Sequence, residues 1–118
     1  MVSDNPLVAE QIAPLPNVNP AVWPLVIADM HLFGTDGFGP QVIADMQDRD
    51  LAGRKKYGTP LQPHNGRDAL VDLYQELLDA AVYAKQAMFE GIDIEREYVR
   101  VLESILEVRE RIEMRRSS

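Results

Sequence analysis

Cysteine is absent from this chain of 118 residues. Without thiols the protein has no disulfide, no thiolate zinc site and no cysteine nucleophile, so any metal must be held by oxygen or imidazole ligands. Histidine is scarce as well, with two residues, whereas Asp and Glu together number 19. Carboxylates are therefore the main chemical resource of the chain.

Long apolar runs and positive charge are also lacking. No run approaches the roughly 20 apolar residues that cross a bilayer, and the N-terminal "MVSDNPLVAE" has no signal-peptide pattern. We therefore expect a cytoplasmic protein with no membrane partner. The 12 Lys and Arg against 19 Asp and Glu give a formal charge of −7, which opposes binding to a polyanion, so a nucleic-acid partner is not expected.

Proline and glycine divide the chain into an arm and four helical patterns. Five of the eight prolines fall within the first 24 residues, which predicts an extended arm over residues 1–23. Turn-rich stretches, "GTDGFG" and "GTPLQPHNG", separate the later segments. Helical spacing predicts helices from near Pro24 to just before Gly34, from Pro40 to about Gly58, from about Arg67 to about Glu90, and over 94–112. No strand signal is seen, so we expect an all-α fold, a single domain over 1–118 with a helical core in 24–118.

The sequence also predicts how the third helix begins and which face of the fourth helix is packed. Asn65 is the expected N-cap of the third helix, with Asp68 three residues on. In the long C-terminal helix, the apolar residues follow the spacing of a helix laid against others, and Leu102 and Leu106 widen that face. This pattern predicts bundle packing or a subunit seam, and with it a homo-oligomer, either dimer or tetramer. The residues at this spacing are Ile94, Tyr98, Val101, Ile105, Val108 and Ile112.

Acidic residues recur three or four positions apart on two of the predicted helices. Asp72, Glu76 and Asp79 form one stripe, in which like charges repel and a divalent cation would be the simplest compensation. Asp45 and Asp48 form a second pair on the preceding helix. If the two helices pack antiparallel, four carboxylates meet around one Mg²⁺ or Mn²⁺ ion; these are Asp45, Asp48, Glu76 and Asp79. The alternative is that both pairs are solvated helix surface.

Basic residues stand beside these acids. Arg54, Lys55 and Lys56 lie two turns beyond Asp48, and Arg67 opens the third helix. They match the charge of a polyphosphate, although a basic run at a helix C-terminus is also favoured by the helix dipole alone. Trp23, the only tryptophan, is either a core or arm anchor or a platform for a base.

Together these motifs resemble the MazG-like all-α nucleoside triphosphate pyrophosphohydrolases, especially short bacteriophage members. That family has E-E-x-x-E on one helix and E-x-x-D on the next. "ELLD" matches the second element, "ADMQD" stands at the first, and "KYGTPLQPHNGRDALVDLYQELLDAAVYAKQ" looks like the phage subgroup. Ala44 replaces the leading glutamate, and aspartates stand where glutamates are usual, which leaves Asp50 and Asp72 as alternatives to Asp48.

The resemblance implies hydrolysis of a nucleoside or deoxynucleoside triphosphate to the monophosphate and pyrophosphate with Mg²⁺ or Mn²⁺. A purine such as dGTP or dATP is expected, as in the MazZ-like subgroup, in the host cell cytoplasm if a phage encodes the chain. Glu76, Asp79 and Asp45 would be catalytic, and the same three with Asp48 would hold the metal. The substrate would contact Lys55, Lys56, Arg67, Tyr57, Asn65 and Trp23, with Phe38 in the "GTDGFG" turn near the base.

Two alternatives come from other readings of the same residues. A non-catalytic helical interaction module would explain the C-terminal helix and leave the acid pairs as solvated surface. A related metal-dependent phosphohydrolase would act on a nucleoside diphosphate or another pyrophosphate compound.

Overall fold

Four α-helices account for the regular structure of residues 4–34 and 37–117, which this computed structural model describes. They are α1 (Trp23–Phe33), α2 (Gly39–Tyr57), α3 (Ala69–Phe89) and α4 (Glu95–Arg116). No strand occurs in these residues, which confirms the all-α class. None of their helices is both long and apolar enough to span a membrane.

The chain divides into two compact units. Unit 1 contains the arm up to Glu10 and everything from Asp68 onward, whereas unit 2 runs from Gln11 to Arg67. The predicted arm is thus shared between the units. The expected single domain over 1–118 and the expected packing of the second helix on the third both stay predictions.

In unit 1, α3 and α4 form an antiparallel hairpin closed by a short loop after Phe89. Contacts between the helices keep one register from end to end. Arg115 binds Asp68, Arg109 reaches the Tyr74 hydroxyl, and the Lys85 ammonium lies over the Tyr98 ring. The six apolar residues predicted at core spacing, from Ile94 to Ile112, are each buried or half-buried. Leu102 and Leu106, which were predicted to widen that face, are instead 39% and 72% exposed.

The core of unit 1 includes a residue from the arm. Leu7 is buried with Val71 of α3 and Ile112 of α4. The Gln75 amide holds the arm in place by donating to the carbonyls of Leu7 (3.2 Å) and Ala9 (2.8 Å). The half-buried residues around this cluster are Leu70, Tyr74 and Val108.

In unit 2, α1 packs on α2, and the arm is fastened to the loop that follows α2. The buried Gln62 amide donates to the carbonyls of Asn17 (2.7 Å) and Asn19 (2.8 Å), and its oxygen accepts from the Asn17 N–H. Backbone bonds from Leu15 to Asn65 and from Val22 to Leu61 add to this contact. In unit 2 the arm is therefore held against this loop by hydrogen bonds that residues from Leu15 to Val22 form.

Helix ends follow the sequence signals with two corrections, at the start of α3 and at the end of α4, which continues to Arg116 beyond the predicted 94–112. Gly58 ends α2 with φ of 71°, a left-handed conformation that glycine adopts without strain. The N-cap of α3 is Asp68, not Asn65, and its carboxylate accepts from the amides of Leu70 and Val71. Asn65 lies before the helix, where its side chain accepts from the Arg67 N–H in a local turn. The third helix therefore begins at Ala69, two residues later than predicted.

Candidate functional site

The first acid pair lies on the outer side of α2. Asp45 and Asp48 are both exposed, and each is far around the helix from the buried Ile43, at about 200° and 140° respectively. Neither side chain forms a hydrogen bond or an ion pair with the part of the chain that the structure describes. The pair therefore contributes nothing visible to the packing of unit 2.

The second acid pair lies on α3 in unit 1. Glu76 and Asp79 are exposed and likewise have no hydrogen-bonding or ionic partner among the described residues. Asp72, one turn earlier, is half-buried and does have a partner. The predicted stripe is therefore not uniform, because its first member is engaged with the protein and the other two are directed to solvent.

Other acids nearby are neutralised, which sets the two pairs apart. Asp50 on α2 binds the guanidinium of Arg54 at 2.9 Å. Asp68 caps α3 and binds Arg115, whose guanidinium lowers the pKa of the Asp68 carboxyl. These two carboxylates already serve structural contacts, which weakens Asp50 as a substitute metal ligand.

The donor chemistry of the two pairs suits a hard divalent cation, since carboxylate oxygens are what Mg²⁺ and Mn²⁺ prefer. Across residues 4–34 and 37–117, however, no three His, Asp or Glu side chains are grouped closely enough to hold a metal ion. Each pair offers two carboxylates in its own unit. Convergence of Asp45 with Glu76 and Asp79 stays a prediction.

The predicted phosphate-binding lysines lie in the last turn of α2 and are exposed. The ammonium of Lys56 is 5.1 Å from the centre of the Tyr57 ring, so the two side chains form a cation–π pair. Lys55 has no such contact in the described chain. Both lysines remain accessible to an anion.

Asn65 and Arg67, which are also predicted to bind substrate, form hydrogen bonds with the arm. Asn65 is 7% exposed, and its carbonyl accepts from the Leu15 N–H at 2.8 Å. The Arg67 guanidinium donates to the carbonyls of Gln11 and Ile12. Both residues thus position the arm, a role that sequence spacing did not reveal because the contacts span about 50 residues.

The structure describes some of the residues in the predicted base-binding region and not others. Trp23 opens α1 and is half-buried, and Phe38 precedes α2 and is 79% exposed. Thr35 and Asp36 of the "GTDGFG" turn lie outside the described residues. These positions place both rings in unit 2 without defining a base pocket.

One concave surface was not predicted. An open cleft of about 570 Å³ lies beside the loop end of the α3–α4 hairpin, and none of the predicted site residues lines it. Its single cation, Lys85, lies between the rings of Tyr98 and Phe89, at 4.8 and 6.0 Å. Helical spacing alone could not separate these residues from ordinary core. The lining residues are Ala81, Val82, Lys85, Gln86, Phe89, Glu90 and Tyr98.

Comparisons of the chain with protein-family models, with curated proteins and with solved structures find no match. The resemblance to MazG-like pyrophosphohydrolases therefore rests on the motifs quoted above and stays a prediction.

Proposed function

We propose that this chain is a metal-dependent pyrophosphohydrolase that converts a nucleoside or deoxynucleoside triphosphate, a purine such as dGTP or dATP, to the monophosphate and pyrophosphate. The observation that carries the proposal is the contrast among the acids of α2 and α3. Asp50 and Asp68 form ion pairs with arginines. The two acid pairs at the motif positions are exposed, and no positive side chain in the part of the chain that the structure describes balances their charge. Like charges at this spacing repel by a few tenths of a kcal/mol, and a cationic ligand would offset that cost.

Asp45, Asp48, Glu76 and Asp79 would hold Mg²⁺ or Mn²⁺. In this proposal both pairs bind the same ion, and water and the phosphates of the substrate complete its coordination. When bound, the ion would neutralise phosphate oxygens and make the phosphorus more open to attack. Glu76 is the proposed acceptor of the proton from the attacking water, and this role requires hydrogen-bond reach to that water.

Lys55 and Lys56 would offset the charge of the pyrophosphate that leaves. Tyr57, stacked with Lys56, would fix the direction of that ammonium. Arg67 and Asn65 would act indirectly, because their side chains already hold the arm. Trp23 is the proposed platform for the base. The active species would be a homo-oligomer, either dimer or tetramer.

Product analysis tests the reaction. With Mg²⁺ or Mn²⁺ the protein should release pyrophosphate and a monophosphate from at least one triphosphate, and Glu76→Gln or Asp79→Asn should abolish turnover with helix content unchanged. Glu107→Gln, an exposed acid on α4, is the matched control and should retain activity. Full activity of both α3 variants would refute the assignment, and release of orthophosphate or hydrolysis of diphosphates would favour the related phosphohydrolase.

Calorimetry tests the shared ion. If both pairs bind one ion, Asp45→Asn on α2 and Glu76→Gln on α3 should each weaken the same Mn²⁺ binding event. Loss of binding in only one of them would place the ion on a single helix, contrary to the proposal.

The second candidate is a non-catalytic interaction module. It is favoured by apolar residues that α4 leaves exposed, among them Val99, Leu102 and Leu106. A module of this kind would show neither Mn²⁺ binding nor a metal-dependent rise in melting temperature.

A further inference from the structure

The groove between the start of α3 and the end of α4 is filled by one side chain of the arm. Leu7 is 4% exposed and is buried with Val71 of α3 and Ile112 of α4. Its neighbours in the arm, Pro6 and Val8, are exposed. This part of the arm is therefore anchored through a single buried side chain, as a short peptide is anchored in the groove of a binding protein.

Helix α3 also binds the backbone of the arm. The side-chain amide of Gln75 donates to the carbonyls of Leu7 and Ala9, at 3.2 and 2.8 Å. These two bonds select a particular backbone conformation, because both carbonyls must be directed at one amide group. The groove therefore recognises a leucine side chain together with the shape of the chain that carries it.

The turn that presents Leu7 is stabilised within the arm itself. The Asn5 side chain accepts from the Leu7 N–H at 3.0 Å, and the Asn5 carbonyl accepts from the Val8 N–H at 3.1 Å. Pro6 lies inside this turn, where its fixed φ is favourable. Because these contacts are local, a separate peptide with the same residues can form the same turn and bind with a small ordering cost.

The next part of the arm is held by different contacts. The Arg67 guanidinium donates to the carbonyls of Gln11 and Ile12, and all three residues belong to unit 2. Residues 4–10 can therefore leave the groove while these contacts persist. Their departure would expose the apolar side chains beneath Leu7, which then need another apolar group to cover them.

We propose that the groove between α3 and α4 is a recognition site for a partner protein that carries an Asn-Pro-Leu turn, and that residues 5–9 of the arm mask it in cis. The partner's leucine would lie against Val71 and Ile112, and two of its carbonyls would bind Gln75. Tethering gives the arm an effective concentration in roughly the millimolar range, so a partner must make additional contacts to displace it. All of the residues involved belong to unit 1, so the site is independent of the proposed activity and of the oligomeric state.

A fluorescently labelled peptide of residues 4–12 tests this recognition in the full-length chain. Leu7→Asp should release the arm, and fluorescence anisotropy should then show saturable binding of the peptide to this variant. Binding to the wild-type chain should be weaker by on the order of 100-fold, because the arm competes. A peptide with Leu7→Ala should bind at least about 30-fold more weakly than the original peptide. Equal binding to the two chains, or no binding to a variant whose helix content is unchanged, would overturn the proposal.

A substitution on α3 separates recognition from general apolar contact. In the Leu7→Asp chain, Gln75→Ala should weaken peptide binding about tenfold, because two hydrogen bonds are lost. Gln86→Ala, at an exposed position three turns further along α3, is the matched control and should leave binding unchanged. Equal effects of the two glutamine substitutions would show that the peptide binds elsewhere.

A cleaved chain gives a third measurement, which retains Leu7 and so does not depend on the folding of Leu7→Asp. With a protease site inserted between Glu10 and Gln11, the cut protein keeps both the groove and its own occupant. Native mass spectrometry should show an excess of the labelled peptide replacing residues 1–10, whereas the Leu7→Ala peptide should not replace them. Failure of the original peptide to exchange would refute the masking.

Discussion

The carboxylate of Asp68, at the N-terminus of α3, accepts two hydrogen bonds from the guanidinium of Arg115, in the last turn of α4, at 3.1 and 2.7 Å. The same carboxylate caps α3 by accepting from the amides of Leu70 and Val71. One side chain therefore fixes the start of a helix and closes the open end of the hairpin.

These two roles can be separated by substitution. Asp68→Asn retains a good N-cap and loses the ion pair, so we expect a cost of about 0.5–1 kcal/mol in the free energy of unfolding, whereas Asp68→Ala also loses the cap and should cost about 2 kcal/mol. Urea denaturation measures both. Arg115→Gln should cost little in the Asp68→Asn background, and Arg116→Gln is the control. Additive effects of Asp68→Asn and Arg115→Gln would show that the pair is not coupled.

The same carboxylate predicts a pH dependence. Arg115 is the main cause that lowers the pKa of Asp68 below its ordinary value of 3.8, with the cap amides adding to it. A carboxyl with a lowered folded-state pKa contributes stability that is fully present above the ordinary value and is lost as the pH falls through the lower one. The difference in unfolding free energy between wild type and Asp68→Asn should therefore shrink below about pH 4. A difference that is constant from pH 6 to 2.5 would contradict this cause.

The start of α3 also shows what the sequence could and could not predict. Asn65 and Asp68 are both good N-cap residue types, and local sequence favoured Asn65 because an acid stood three residues after it. Contacts with residues far away in the sequence decide which of the two caps the helix. The Asn65 carbonyl accepts a hydrogen bond from the Leu15 N–H, and the Asp68 carboxylate accepts one from the Arg115 guanidinium. By contrast the ends of α1 and α2 depend on local glycines, and there the predictions of Gly34 and Gly58 are confirmed.

The candidate site likewise contains some features that the sequence could predict and others that it could not. Exposure of Asp45, Asp48, Glu76 and Asp79 follows from helical spacing, which the sequence shows directly. The fastening of Arg67 and Asn65 to the arm depends on an extended segment whose path has no periodic signal. Residue type alone had therefore suggested phosphate binding for side chains that the arm engages.

Gln62 should be the most sensitive polar residue of unit 2. Its buried amide satisfies two carbonyls and one N–H of the arm, and Gln62→Leu would leave these partly buried groups without partners. We expect a loss of about 2–3 kcal/mol in unfolding free energy. Gln47→Leu, at an exposed position of α2, is the matched control and should change stability by less than about 0.5 kcal/mol. Equal effects of the two substitutions would show that the network around Gln62 contributes nothing.

Two glycines of α2 should respond oppositely to alanine. A Cβ at Gly39 would overlap the carbonyl oxygen of Gly34, so Gly39→Ala must displace the corner between α1 and α2. A Cβ at Gly53 meets nothing within 4 Å, and Gly53→Ala should stabilise the helix by about 0.5–1 kcal/mol. Thermal unfolding compares them. A stabilising Gly39→Ala would mean that the corner has a different geometry.

The acid pair on α3 should cost stability without metal and add stability with it. Glu76 and Asp79 are like charges three residues apart, so Asp79→Asn should raise the unfolding free energy by a few tenths of a kcal/mol at low salt in the presence of a chelator. Saturating Mn²⁺ should reverse the order, since an ion at 100 times its dissociation constant stabilises the wild type by about 2.7 kcal/mol and the variant much less. Glu107→Gln should gain as much from Mn²⁺ as the wild type does. If Mn²⁺ stabilises Asp79→Asn as strongly as the wild type, the ion binds elsewhere, and the uncompensated pair is only solvated surface.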